Sequence, residues 1–144
     1  MDIQGPFKGS IAGFRYALVV IDDHSQARWK RFLKHKNDAK DKITTLITKL
    51  KMFTERKVKT IRFDGGGEFL DTKLRNWFKS KGITLKISAP DTQQQNGVAK
   101  QYNHTMHERA LAILKDLELA DRFWPEAHEY LNYVHNRTST AALK

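Results

Sequence analysis

The sequence predicts an α/β sandwich, in which a mixed sheet carries helices on both of its faces. Residues 14–21 and 27–33 are rich in β-branched and aromatic side chains and predict two strands. The polar residues 22–25 between them predict the turn of a hairpin. Farther along, helical and extended patterns alternate, and strands reached through helical crossovers join a sheet in parallel. The combination predicts a sheet of mixed strand direction.

The first helix is predicted to end at about residue 56, with Asn37 or Asp38 as its N-terminal cap. Its apolar residues recur every three or four positions, as the buried face of a helix requires. That face consists of Ile43, Leu46, Ile47, Leu50 and Phe53. A short strand is predicted over residues 58–63, ending at Asp64.

The second half of the chain is predicted to be mostly helical. A helix over residues 72–81 ends at Gly82, and residues 83–87 alternate apolar and polar side chains as a half-buried strand does. A long helix is predicted from about residue 96 to about residue 118. The last helix begins near Trp124, because a proline in the first turn of a helix is favourable.

Composition limits the classes of protein and partner. The 144 residues predict a single domain over residues 1–144, which we expect to be cut from a longer polyprotein. Lysine and arginine number 26 against 16 acids, a net charge of +10, which favours a polyanionic partner such as nucleic acid. The alternative is a basic domain without such a partner. The absence of cysteine excludes disulfides and thiolate zinc sites.

No membrane or secretory segment is predicted. The longest apolar run, residues 16–21, is far too short to span a bilayer, and the N-terminus lacks the pattern of a signal peptide. We therefore expect no membrane partner and a nuclear or cytoplasmic location.

Two segments of the chain suggest phosphoryl-transfer chemistry. Asp64 and Lys100 are separated by the 35 residues 65–99, and an acid at each position would suit a site that holds two divalent ions about 4 Å apart. The glycines at 65–67 would let a phosphate backbone approach. Position 100 falls in the first turns of the predicted helix, where the helix dipole favours an anion, yet the residue is a lysine. Asp2 could mark the end of a further short strand.

Motifs along the whole chain resemble the catalytic core of integrases from copia-type LTR retrotransposons, of the retroviral integrase superfamily. Residues 64–69 read D-G-G-G-E-F and resemble the family's D-N-G-G-E-F. Residues 94–99 read Q-Q-N-G-V-A, which the family normally continues with E-R. Further matching motifs are D-I-Q-G-P at 2–6, G-F-R-Y at 13–16, I-D-D-H-S at 21–25, F-W-P-E-A at 123–127 and N-R-T-S at 136–139.

The resemblance implies an RNase H-like fold, with a five-stranded mixed sheet flanked by helices on both faces, and a catalytic triad of acids. By position Asp2 is the first acid and Asp64 the second, while Lys100 replaces the glutamate. Asp2 and Asp64 would bind Mg²⁺ or Mn²⁺. We expect that binding to be weak or absent, because an ammonium group about 4 Å from a unit charge costs about 4 kcal/mol at an effective dielectric constant of 20, and more beside a divalent ion.

Other departures from the family pattern surround the same site, at Gly65, Asp91, Gln93 and Gln101. Two alternatives remain for Lys100: it could pair with Asp2 and Asp64 in place of a metal, or it could be a solvated helix residue. Glu68, four residues after Asp64, is an alternative acid.

The resemblance also implies DNA as a partner, together with a homodimer or higher oligomer. The predicted DNA contacts come from the basic run over residues 28–36 and from the helix that carries position 100. They are Arg28, Lys30, Arg31, Lys34, Lys36, Asn96, Gly97, Lys100, His104 and His107. Lysines also protect edge strands from aggregation, and the helix face could be merely solvated.

Three functional hypotheses follow. The first is an integrase core whose metal-dependent DNA strand transfer is impaired by Lys100. The second is a non-catalytic module that binds nucleic acid or protein through the same fold. The third is a folded domain without activity. Metal binding at Asp2 and Asp64 would distinguish the first from the second.

Overall fold

The computed structural model describes residues 1–63, 71–87 and 93–138. For residues 93–102 it describes the helical backbone only. The strands are β1 (Asp2–Gln4), β2 (Tyr16–Ile21), β3 (Arg28–Leu33), β4 (Thr60–Phe63) and β5 (Thr84–Ile87). The helices are α1 (Ala39–Thr54), α2 (Thr72–Ser80), α3 (Gln93–Asp116) and α4 (Trp124–His135). Short 3₁₀ turns at Lys36–Asp38 and Asp121–Phe123 precede α1 and α4.

The first three strands form an antiparallel meander in the order β1-β2-β3, which confirms the predicted hairpin. Its turn is closed by Asp22, whose Oδ2 accepts hydrogen bonds from the backbone nitrogen of Ser25 at 2.9 Å and from its hydroxyl at 2.6 Å. These two bonds stabilise the charged carboxylate and hold the pKa of Asp22 below its usual value. The turn residues act locally, as their composition predicts.

The last two strands, β4 and β5, pair in parallel, with Thr60 opposite Thr84. The chain passes from one to the other through α2, which begins at its cap Asp71 and is followed by Gly82 at φ +68°. A parallel neighbour needs a crossover, so this pair agrees with the prediction that later strands are reached through helices, but it does not join the meander in one mixed sheet.

The prediction of one five-stranded sheet is not confirmed. The described residues contain a three-stranded sheet and a separate two-stranded sheet. The backbone nitrogen of Met1 donates to the carbonyl of Arg62 at 2.8 Å, which brings the start of β1 beside β4. However, β1 has three residues, and no ladder between β1 and β4 forms within the described residues.

Helices cover both faces of the meander, as predicted. On one face, α1 and α2 pack on a cluster that includes Leu18 of β2 and Leu33 of β3. On the other face, α3 and α4 pack on Ala17 of β2 and Phe32 of β3, in a cluster that includes Trp124 of α4. Successive residues of β2 and β3 thus enter opposite cores, because side chains alternate along a strand.

One predicted core residue lies outside the cores. Phe53, in the last turn of α1, is 85% exposed. A 16-residue helix is about 24 Å long, while a six-residue strand extends about 20 Å, so the last turn of α1 runs beyond the sheet. The helical period was correct, but the length of the supporting sheet limits burial.

Candidate active site

Asp2, the predicted first acid, contacts α3. It lies in β1, opposite Val19 of β2, and is partly buried. The side-chain amide of Asn103 donates to Oδ2 of Asp2 at 3.3 Å, and Asn103 itself is 4% exposed. A buried amide that reaches a carboxylate across the helix–sheet interface fixes how α3 lies over β1.

Position 100 lies on the same helix. Lys100 precedes Asn103 by three residues, so its backbone is about 4.5 Å nearer the start of α3. Residues three apart in a helix are neighbours on its surface. The helix begins at Gln93, three residues before the predicted start, which puts position 100 about two turns inside. The helix dipole therefore stabilises an anion at position 100 only weakly, because its effect decreases within the first turn of the helix.

Several predicted site residues lie outside the described residues. These are Asp64, Gly65, Glu68 and Asp91, and only the helical backbone is described at Gln93, Asn96, Gly97, Lys100 and Gln101. Asp64 follows Phe63, the last residue of β4, in the sequence. The convergence of Asp64 with the other two positions stays a prediction.

The described residues do not supply a complete metal site. Among them, no group of three or more His, Asp or Glu side chains could hold a metal ion. Asp2 supplies the oxygen ligand that Mg²⁺ and Mn²⁺ prefer, but one carboxylate does not form a site. A metal site at this position would need a further ligand from outside the described residues, and Asp64 is the predicted one.

The basic run at 28–36 does not form one surface. Lys34 is exposed, and Arg31 and Lys36 are partly exposed. Lys30 is 6% exposed and points into the core formed with α3 and α4. The physical reason is the alternation of side chains along β3, which turns residues 30 and 31 to opposite faces. Lys30 therefore belongs to the interior and not to the predicted DNA-binding surface.

Arg28 has a structural role through its backbone. Its nitrogen donates to Oδ1 of Asn136 at 2.9 Å, and its carbonyl accepts from Nδ2 of Asn136 at 2.7 Å and of Asn132 at 3.1 Å. The end of α4 thus covers the outer edge of β3 at this residue.

A basic groove lies between β3 and α1. It has a volume of about 470 Å³ and is lined by aromatic side chains and by more cations than anions. Its charged lining residues are Arg31, Lys34, Asp38, Asp41, Lys42 and Lys49. Asp38 is already engaged, since its Oδ2 accepts from the backbone nitrogens of Lys34 and His35. The groove joins two predicted DNA contacts to Lys42 and Lys49, which sequence reasoning did not select.

The two candidate histidines of α3 differ in environment. His104 is exposed, and its Nδ1 lies 3.3 Å from a carboxylate oxygen of Glu108. His107 is partly buried and stacks on the ring of Phe7, with centroids 4.2 Å apart. His104 faces solvent as a DNA contact must, whereas His107 faces the interior.

His107 ends a chain of three basic side chains, which we call the three-base chain. Nζ of Lys30 lies 2.9 Å from Nδ1 of His128, and Nε2 of His128 lies 2.9 Å from Nδ1 of His107. Burial lowers the pKa of Lys30 to about 8 and that of His128 to about 3. Burial and the nearby Lys30 also lower the pKa of His107. Low dielectric disfavours the charged form of each base.

Sequence reasoning missed Asn103 and His128. Asn103 falls one helical turn after position 100, so helical periodicity offered a signal for it. His128 offered none, because its partners come from two other elements.

Comparison with known proteins places the chain in a family. A family model described as the integrase core domain matches residues 1–92. The Retrovirus-related Pol polyprotein from transposon TNT 1-94 of Nicotiana tabacum is 32% identical over 143 residues, which is 99% of this chain and 11% of that polyprotein. The corresponding polyprotein from transposon RE2 of Arabidopsis thaliana is 27% identical over 135 residues, or 94% of this chain and 9% of that polyprotein.

The chain therefore belongs to the integrase core domain family. Within that family it is a copia-like integrase core, as its retrotransposon relatives show. It spans about a tenth of the length of those polyproteins.

A solved structure shows the fold independently. The cryo-EM structure of the simian T-cell lymphotropic virus intasome in complex with the PP2A regulatory subunit B56 gamma matches with a TM-score of 0.64 and 14% identity, over 88% of this chain and 45% of that chain. At this identity the likeness shows an RNase H-like integrase fold and no more. Within the described part of the chain, no helix is long and apolar enough to cross a membrane.

Proposed function

We propose that the domain binds DNA and carries the strand-transfer site of a retrotransposon integrase, and that Lys100 impairs this site. The observation that carries the proposal is the contact between Asn103 and Asp2, because it brings α3 against the strand of the first acid. Position 100 precedes Asn103 by less than one helical turn.

Asp2 and Asp64 would hold Mg²⁺ or Mn²⁺, which would activate a water or a DNA 3′-hydroxyl and stabilise charge on the phosphate. In that arrangement Asn103 orients the carboxylate of Asp2 through its side-chain amide. Lys100 brings a cation where the site needs an anion, so it opposes the metal and deprives it of a ligand.

The same proposal includes one continuous sheet. The hydrogen bond from Met1 to Arg62 supports the order β3-β2-β1-β4-β5. That order would place the start of β1 beside the end of β4, and with them Asp2 and Asp64.

DNA would bind through basic side chains that reach solvent. Arg31, Lys34, Lys36 and His104 remain candidates because they are exposed or partly exposed, and Lys42 and Lys49 join them in the groove. Each phosphate that a cation neutralises adds nearly one unit to the slope of log affinity against log salt concentration, so binding should weaken steeply with salt.

Self-association is also part of the proposal. The outer face of α4 exposes Tyr130 (58%), Tyr133 (57%) and Val134 (40%). Apolar side chains grouped on one helix face are typical of protein interfaces. Sedimentation velocity over a range of concentrations tests this point.

The experiment compares Lys100→Glu with Lys100→Gln. Disintegration of a branched DNA substrate is measured with Mg²⁺ and with Mn²⁺. We expect little or no activity in the parent chain and partial recovery in Lys100→Glu, which restores an anionic ligand. Lys100→Gln is the matched control, since it removes the cation without supplying an anion. Strong activity of the parent chain would show that position 100 is not the third acid position.

A non-catalytic module that binds nucleic acid or protein is the second candidate. Lys100 itself supports it, together with the net charge of +10. No gain of activity in Lys100→Glu, with salt-dependent DNA binding retained, would favour this candidate over an impaired enzyme.

A further inference from the structure

The three-base chain lies in an aromatic enclosure. The ring of Trp124 is 5.5 Å from that of His128, and the ring of Phe32 is 6.4 Å away. Phe7 stacks on His107 at the other end. His128 is fully buried. Polar groups in such surroundings depend on each other for hydrogen bonds, so their proton positions are constrained.

The rules of hydrogen-bond donors and acceptors allow the three-base chain at most one excess proton. The Lys30 ammonium can only donate, so Nδ1 of His128 accepts and its proton sits on Nε2. That Nε2–H donates to Nδ1 of His107, which then carries its own proton on Nε2. The reverse arrangement keeps both bonds with a neutral Lys30 and a cationic His107. A second excess proton would set two N–H donors against each other and break a 2.9 Å contact.

The strand register connects the three-base chain to the candidate active site. Asp2 pairs with Val19, and Val19 pairs with Lys30, so the three form a row across the sheet. Residues directly opposite each other project from the same face, and the ends of this row are about 10 Å apart. The face is the one that α3 covers.

α3 is attached to both ends of this row. Asn103 binds Asp2, and His107 reaches Lys30 through His128. Positions 103 and 107 are one turn apart, about 6 Å along the helix axis. Two polar attachments one turn apart fix both the rotation and the height of the helix on the sheet.

We propose that the three-base chain is a positioning element for the candidate active site. It fixes α3 on the sheet, and thereby the distance of residue 100 from Asp2, while it carries one excess proton. The placement of α3 follows from the geometry alone. Its meaning for catalysis rests on the proposed function.

The charged groups around the three-base chain favour the state with one excess proton. Burial and then Arg28 lower the pKa of Lys30, and burial and then Lys30 lower the pKa of His128. Around His107, burial, Lys30 and His104 outweigh two acids that act in the opposite direction. Those acids are Asp121 and Glu108. A further basic group, His135, lies near Arg28 and Lys30 and also has a lowered pKa.

The first test measures hydrogen exchange of the backbone amides of α3 in the full chain. We expect exchange, corrected for its intrinsic pH dependence, to rise at least tenfold between pH 7.5 and pH 5.5 in α3, with a smaller rise in α1. The double variant Lys30→Met/His128→Leu replaces the buried polar pair with apolar side chains of similar size and should lose this pH dependence. His104→Leu, an exposed histidine of the same helix, should keep it.

The second test is ¹⁵N NMR of the histidine rings at pH 7.5. We expect His128 and His107 to be neutral with their protons on Nε2. A doubly protonated His128 ring above pH 6, or equal pH dependence of α3 exchange in the parent and the double variant, would overturn the proposal. Neither readout needs DNA or metal, so a failure here is distinguishable from a failure of the Lys100→Glu assay.

Discussion

Asn103 donates its side-chain amide to the carboxylate of Asp2 across 3.3 Å, although the two residues are 101 positions apart. The contact joins the first strand to the helix that carries position 100. It therefore links two of the three positions that the family resemblance assigns to catalysis.

We predict that Asn103→Ala lowers the free energy of unfolding by about 1–3 kcal/mol, because it removes a buried hydrogen bond to a charged group. Urea denaturation followed by circular dichroism measures this. His104→Ala is the control, and a change below about 0.5 kcal/mol is expected because that side chain is exposed. Equal effects of the two substitutions would contradict the assigned role of Asn103.

Lowering the pH should destabilise the protein already at pH values above those at which its carboxylates become protonated. In the folded state His128 has a pKa of about 3, whereas in the unfolded chain it titrates near its ordinary value of 6.5. Between these values the unfolded state binds more protons, so stability is greatest above pH 6.5 and falls as the pH falls. His128 alone contributes a slope of about 1.4 kcal/mol per pH unit in this window.

Urea denaturation at pH 7.5, 6 and 5 measures this slope. Lys30→Met/His128→Leu is the matched control, and its stability should change less over the same range. A parent protein with equal stability at pH 7.5 and pH 5 would contradict the burial of a neutral His128.

Charge reversal in the groove should weaken DNA binding. We expect Lys42→Glu/Lys49→Glu to lower affinity for duplex DNA at low salt by at least tenfold and to reduce the salt slope by about two units, since two phosphate contacts are lost. The control, Lys51→Glu/Lys79→Glu, makes the same change of net charge at exposed residues outside the groove. If both pairs weaken binding equally, net charge and not the groove determines affinity. Fluorescence anisotropy at several salt concentrations separates these outcomes.

Trp124→Phe should cost about 1–3 kcal/mol of unfolding free energy. Trp124 is 1% exposed, and its Nε1 donates to the carbonyl of Lys8 at 2.9 Å. Phenylalanine removes that donor and leaves a small cavity. Trp77→Phe, at a partly buried position of α2, serves as the control and should cost less. Thermal and urea unfolding of the two variants give the comparison.

Local patterns predicted the local structure well. The run of β-branched residues predicted β2, the polar residues at 22–25 predicted its turn, and the helical period predicted α1. Each depends on neighbours in sequence, which the chain order displays directly. The start of α3 was three residues off, because position 96 lies inside a helix whose first turn has few apolar residues.

Long-range relationships could not be predicted in the same way. The burial of Lys30 depends on His128, 98 positions away, and a basic run gives no sign of such a partner. The register that aligns Asp2 with Lys30 through Val19 is likewise set by strand pairing. Family motifs supplied the predicted catalytic positions but not the contacts around Asp2.

The asparagines of α4 that cover the edge of β3 have a consequence for biosynthesis. Arg28 meets Asn132 and Asn136 across 104 and 108 positions, so the outer edge of the hairpin stays open until residue 136 has left the ribosome. An open strand edge is a template for pairing with another chain. Contacts this distant in sequence also form slowly. We therefore expect a copy of this domain truncated before Asn132 to leave the outer edge of β3 uncovered and to aggregate more readily than the intact domain.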